Sequence, residues 1–281
     1  MDRPEIFDRS ARRLRRDRIV SDYPDHAFLR ETMVEGLVER LDSVSRSFGD
    51  VLDLGCFDAR FPPPPGARVA RCDPGFAFAH AAEGVQADED RLPFADGSFD
   101  LVVSAGVLDQ VNDLPGALTL IRRVLRPDGL FLGVFLGGSS LTTLKSAFRA
   151  AQSDRSIARI HPAIDLRSAG DLLARAGLTL PVADIETLTV HYAGIGRLLN
   201  DLRGMGASNL LTERSPMPRG ELARVAEAFA AAADPDGRTA ERFDLIFVTG
   251  WSPSPDQPKP AARGSGRTSL ADALGRFPGA G

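Results

Sequence analysis

The stretch VLDLGCFDARFPPPPGARV, residues 51–69, begins as a buried strand and a glycine turn, then meets four consecutive prolines. In open α/β proteins a short apolar run ended by glycine starts a strand–turn–helix unit. The glycine lets backbone approach a ligand, and the following helix N-terminus offers N–H groups to an anion. Asp53, Leu54 and Gly55 supply the first half of such a unit. Pro62, Pro63, Pro64 and Pro65 oppose the second half. Proline lacks the N–H donor and clashes with the preceding turn, costing about 3 kcal/mol inside a helix, and a run of prolines favours polyproline II. The interval from Gly55 to Asp73 is also short for a helix and its return. The sequence therefore predicts an extended loop as the first crossover.

Working outward, RVARCDP (residues 68–74), DLVVSAG (100–106) and GLFLGVFLGG (129–138) read as further buried strands. LPGALTLIRRVL (114–125) reads as a helix with Pro115 in its first turn. Strands alternating with helices argue for a mostly parallel sheet covered on both faces. Upstream, Phe28, Leu29, Val34, Leu37, Val38 and Leu41 mark one amphipathic helix. Downstream, helices are expected at 141–151, 167–178, 195–205 and 220–233, with strands at 187–192 and 241–251. The chain divides into an N-terminal helical segment (1–48), an α/β domain (49–251) with a helical insertion at about 194–235, and a Pro/Ser/Gly/Arg-rich extended tail (252–281) with a short helix near 270–274.

The 281 residues are 43% hydrophobic with a formal net charge of -4, so no global positive field recruits nucleic acid. The composition has a bacterial look. The two cysteines and the absence of an apolar run near membrane-spanning length suit a reducing, cytoplasmic setting. Zinc-ligand spacing is missing, and no metal site is expected. One local feature stands out: ARRLRRDR, residues 11–18, is strongly basic. It reads either as a solvated helix face or as a contact for an acidic partner or an anionic membrane surface.

Ligands of such sheets bind at the carboxyl ends of the strands. There lie Asp53 and Gly55, then Asp73, an acid placed to accept both hydroxyls of a ribose. The segment ADEDRLPFADGSFDLVVS, residues 87–104, resembles the acid–LPF–SFD segment of class I S-adenosylmethionine (SAM) methyltransferases. IFDRSARRLRRDR (6–18), LVVSAGVLDQVNDLPGALTLIRRVLRPDGLFLGVFLGG (101–138), DLLARAGLTLPVADIETLTVHY (171–192), DLRGMGASNLL (201–211) and DGRTAERFDLIFVTGW (236–251) together resemble the BioC-like group of that family, which includes a respiratory complex I assembly factor.

The resemblance implies a Rossmann-like α/β fold with an antiparallel last strand, and SAM as cofactor. It implies cofactor contacts at Asp53, Gly55, Asp73, Pro74, Asp88, Glu89, Ser104 and Ala105. It further implies either methylation of a protein or small acceptor, or hydroxylation of an arginine on a complex I subunit. Hydroxylation needs an oxidant, for which the sequence offers no iron triad or flavin motif. Asp109 stands where the family often has a histidine and is a candidate general base. Tyr192 and Arg203 are candidates for the acceptor side, Arg203 as a bidentate partner for a carboxylate.

The chain departs from the family at one place that matters. Phe57 and Ala59 replace the second and third glycines of the cofactor turn. A phenylalanine at a close-approach position crowds the methionine portion of SAM. Two functions follow: an enzyme of the methyltransferase type, or a methyltransferase-like assembly factor with a degraded cofactor site.

Overall fold

The computed structural model describes residues 5–151 and 159–257. The expected helix near 270–274 and most of the tail lie outside them. The chain runs through helices α1 (Arg9–Ile19) and α2 (Phe28–Asp42), strands β1 (Asp50–Leu54) and β2 (Arg68–Asp73), helix α3 (Phe76–Ala81), and strands β3 (Val85–Gln86) and β4 (Phe99–Ala105). Then come α4 (Leu114–Val124), β5 (Leu125–Leu136), α5 (Thr142–Ala151), α6 (Leu166–Arg175), β6 (Thr179–Tyr192), α7 (Ile195–Gly204), α8 (Arg219–Ala230) and β7 (Thr239–Trp251).

The strands form one sheet in the order β3-β2-β1-β4-β5-β7-β6. β1 pairs in parallel with β2 and β4, and β4 with β5. β7 is antiparallel to both β5 and β6. The order reverses at β1, which makes the carboxyl ends of β1 and β4 the switch point where such sheets place ligands. No helix joins β1 to β2: the chain passes residues 55–67 in turns and extended backbone, as the proline run predicts.

Alternate residues of the strands feed two cores. Leu52, Leu54, Val102, Phe131, Ile246 and Val248 pack with α4 and α6, whereas Val51, Leu101, Leu132, Val134, Leu245 and Phe247 pack with α2, α5, α7 and α8. α4 begins as its sequence predicts: Asp113 caps it by accepting from Gly116 N at 3.0 Å, with Pro115 in the first turn. β6 is far longer than the six residues read from the sequence. It is a sheet edge with much of its surface exposed, so its first half lacks apolar alternation and is held by the ladder to β7. The short α3 and β3 were also not expected; neither is long enough to show a period.

Phe247 illustrates how tightly the α2 side is packed. Its ring is fully buried, a Cβ on Gly36 would come within 2.5 Å of it, and the Arg40 guanidinium lies 3.5 Å from its centroid. Phe247→Ala should cost about 3–5 kcal/mol in urea denaturation, because the Arg40 stem cannot collapse fully into the void.

Candidate functional site

The turn after β1 keeps the backbone of a nucleotide-binding loop. Gly55 has φ 74°, and a Cβ there would come within 2.5 Å of Val107. Gly55 N and Cys56 N both donate to Cys72 O, at 2.8 and 3.1 Å, tying the turn to β2. Phe57 and Ala59 hold the left-handed conformations normally reserved for glycine, at φ 47° and 54°. The loop carries side chains on backbone of the kind glycine favours.

The Phe57 ring points inward. It stacks on Tyr23 at 5.0 Å, meets Phe78 edge-on at 5.5 Å, and has the Arg16 guanidinium 3.6 Å from its centroid. Tyr23, Phe57 and Phe78 are all at most 4% exposed. These contacts offset the cost of a non-glycine residue at positive φ, about 1–3 kcal/mol.

The acids sit at the strand ends as expected, and those beneath α1 are already paired. Asp73 is fully buried. Arg16 Nε donates to its Oδ1 at 2.8 Å and Arg16 Nη2 to its Oδ2 at 2.5 Å, and the backbone N–H groups of Gly75 and Phe57 complete its shell at 2.8 and 3.0 Å. Arg12 grips buried Glu89 through two bonds of 2.6 and 2.8 Å. Arg13 donates to Asp88 at 2.6 Å, and Arg9 to Asp90 at 2.7 and 2.6 Å. All four arginines come from α1, at positions i, i+3, i+4 and i+7, a single helical stripe.

Part of the basic run is therefore not a solvated face: Arg12 and Arg16 are turned inward, whereas Arg18 remains exposed. Arg12 and Arg16 are 4% and 2% exposed, pointing into the protein where an amphipathic helix usually carries apolar residues.

Of the remaining expected contacts, Pro74 lies between Asp73 and the α3 turn, its carbonyl accepting from Gln86 Nε2 at 3.0 Å. Ser104 and Ala105 end β4, both buried; the Ser104 hydroxyl has no partner, and the Ala105 carbonyl accepts from Arg30. Asp53 is 2% exposed, with Arg30 Nη2 3.9 Å from its Oδ1 and no partner for Oδ2. Burial pushes its carboxyl up to about 6. Cys56 and Cys72 are free and buried, and burial raises the Cys56 thiol to about 12. Among the described residues no group of His, Cys, Asp or Glu side chains is arranged to hold a metal.

Two cavities adjoin this region. A small one of about 40 Å³ lies against Phe57, Arg30, Met33, Gly106 and Asp109. A large one of about 580 Å³ opens on the far side of Asp109, walled by Leu136, Leu141, Leu144, Phe148 and Leu202. Five cationic side chains also line it: Arg15, Lys145, Arg159, Arg203 and Arg214. Arg159 pairs with Glu221 and Arg214 with Asp8. Arg203 has no ion-pair partner among the described residues, and burial lowers the Lys145 ammonium below its ordinary value. His161 is held neutral: burial takes it down to about 4, and its Nε2 accepts from Leu210 N at 2.9 Å.

Asp109 is the one acid among the described lining residues of the large cavity, and it touches both spaces. Its Oδ1 is buried without a partner, and desolvation pushes the carboxyl up to about 6. The structure thus brings Asp109 and Arg203 to one cavity. Tyr192 is not there. It is 4% exposed inside the α2-side core, because strand alternation turns it under α7 and α8 rather than toward the opening. The α1 arginines are the residues that sequence reasoning missed; their i, i+3, i+4, i+7 spacing marks one helix face but not what that face meets.

A methyltransferase domain family model matches residues 52–133. The arginine-hydroxylase NDUFAF5, mitochondrial, of Danio rerio is 34% identical over 95% of this chain and 89% of its own. A malonyl-[acyl-carrier protein] O-methyltransferase of a Methylovorus species is 30% identical over 88% of this chain and 90% of its own. The crystal structure of the YcgJ protein of Bacillus subtilis superposes with a TM-score of 0.56 at 15% identity, over 78% of this chain and 99% of that one, which shows the shared fold. The chain belongs to the class I SAM-dependent methyltransferase family, as a relative of the complex I assembly factor, and SAM is the cofactor that membership assigns to it.

The residues at the strand ends do not fit that cofactor in this conformation. The acid set is complete, but Arg16 takes both oxygens of Asp73, Phe57 fills the turn, and about 40 Å³ remains beside them. Ligand pockets of this kind run to about 300–1,000 Å³.

Two outcomes follow for stability. Phe57→Gly should destabilise by about 2–4 kcal/mol, the lost ring outweighing the relieved φ, whereas Ala59→Gly should stabilise by about 0.5–1 kcal/mol. Urea titration of both checks the opposite signs. Asp53 gives a pH signature. Its folded pKa lies above its ordinary value of 3.8, so its ionisation adds no penalty while both states are protonated, and stability falls as pH rises from about 4 to about 6. Asp53→Asn should therefore gain up to about 3 kcal/mol at about pH 7.5 and nothing near pH 4, read by denaturant titration at each pH.

Proposed function

We propose that this chain is a methyltransferase whose acceptor occupies the 580 Å³ cavity with an anionic group at Arg203 and its reacting end toward Asp109. The observation that carries this is the lining: apolar walls, five cations and one half-buried carboxylate. Apolar walls with few convergent polar groups suit a small organic ligand. A guanidinium with a planar donor fork suits a carboxylate. The same cations disfavour an arginine side chain as acceptor, so the reading leans toward acid substrates of the kind named for the Methylovorus relative rather than the substrate named for the Danio rerio one. Asp109, with its carboxyl near neutrality, is placed to take a proton from an O–H or N–H brought into the cavity.

Kinship with the complex I assembly factor supports a role in the assembly of that complex, with one of its subunits as partner. A bacterial cytoplasmic setting is in keeping with this: among the described residues no helix is long and apolar enough to cross a membrane. A second reading, an assembly factor without turnover, is favoured by the α1 arginines that fill the cofactor site.

The test is methyl transfer from labelled SAM to malonyl-coenzyme A as a carboxylate probe, with two variants. Arg203→Ala should raise the acceptor KM about tenfold or more while sparing kcat, and Asp109→Asn should lower kcat for an O–H or N–H acceptor but not for this probe, whose carboxylate has no proton to lose. A wild-type KM in Arg203→Ala would remove the cavity from the reaction. Failure of the wild type to transfer at all would favour the second reading.

A further inference from the structure

We infer that α1 is an intramolecular competitor for adenosyl nucleosides: its arginines occupy the acids of the cofactor site, and a nucleoside and docked α1 exclude one another. This rests on family membership for the cofactor, not on the acceptor proposal above.

The geometry is specific. Arg16 presents two donors to the two oxygens of Asp73, the same two acceptors that a ribose diol would address. Arg12 does the same to Glu89 and Arg13 caps Asp88, the pair beside which the base would lie. The mimicry is chemical: a diol and a guanidinium fork are both paired donors facing one carboxylate. A nucleoside that takes Asp73 must displace Arg16, and Arg16 cannot retreat alone. It is enclosed by Phe57 on one side, while its Cβ lies 2.8 Å from where a Cβ on Gly75 would stand. Asp17, the next residue, accepts from Ala77 N at 2.9 Å. The helix has to move as a unit.

Moving it reaches the second cavity. Arg15 lines that cavity and donates to the Asn209 carbonyl; just ahead of the helix, Asp8 N donates to Leu210 O at 2.8 Å, and Phe7 N to Asn112 Oδ1 at 2.8 Å. Release of α1 by a nucleoside therefore also removes one cation and one wall contact from the large cavity. The two sites are linked through one element with two positions, and the linkage is reciprocal. A docked α1 lowers the apparent affinity for nucleoside by the fraction of molecules in which the site is open.

The experiment uses the full chain with S-adenosylhomocysteine as probe, in two readouts. Calorimetric titration compares wild type with Arg16→Ala; the variant should bind at least tenfold more tightly. Hydrogen exchange of the α1 amides in wild type, with and without millimolar S-adenosylhomocysteine, should show loss of protection across residues 9–19 as the ligand binds. Equal affinity of wild type and variant, or binding that leaves α1 protection unchanged, overturns the inference, as does the absence of binding to both. If Arg16→Ala does not fold, the exchange measurement on wild type decides alone. Unlocked α1 together with no methyl transfer would sink the proposed reaction and leave this inference standing. Methyl transfer with α1 still protected would do the reverse.

Discussion

Asp73 is a fully buried carboxylate, and the cation that neutralises it is Arg16. The ends of β2 and of the loop after β3 bring Asp73, Asp88, Glu89 and Asp90 to one side of the sheet, under a helix that excludes water from most of them. Burying unpaired charge costs several kcal/mol per ion. The α1 stripe answers each acid in turn, Arg16 with Asp73, Arg12 with Glu89, Arg13 with Asp88 and Arg9 with Asp90. With α1 docked by these pairs, Phe57 lies buried beneath Arg16 and the adjoining space is about 40 Å³.

Phe57 and the proline run belong to the same account. Without a helix between β1 and β2, little regular structure holds the cofactor turn from below. The turn is held from above instead, by the Tyr23–Phe57–Phe78 cluster and by Phe57 N on Asp73. Glycine would keep the backbone but lose the ring that α1 rests on. What the turn gives up as a ligand cradle it regains as a floor for the helix. The large cavity has not been filled in this way: Asp109 and Arg203 both line it.

The fold was legible because its signals are local. Each central strand is a short apolar run, Gly55 marks a turn that has no room for a side chain, and proline forbids the first crossover helix. The strand-end acids were legible for the same reason. Their partners were not. An arginine stripe on a helix has the same spacing whether it faces water or a row of carboxylates, and only the tertiary fold brings residues 9–16 over residues 73–90. Tyr192 shows the converse: an aromatic residue near a strand end gives no hint of which side it faces, and here it faces the core. The first half of β6 was lost because an exposed edge strand carries no hydrophobic period.

The central claim is that the Arg16–Asp73 pair closes this site, and a double-mutant cycle measures it directly. Urea denaturation of wild type, Arg16→Ala, Asp73→Ala and the double variant isolates their coupling. The account predicts a coupling of at least about 2 kcal/mol, with the double variant more stable than either single one, because a lone buried charge is worse than none. Additive losses, with coupling under about 0.5 kcal/mol, would contradict it.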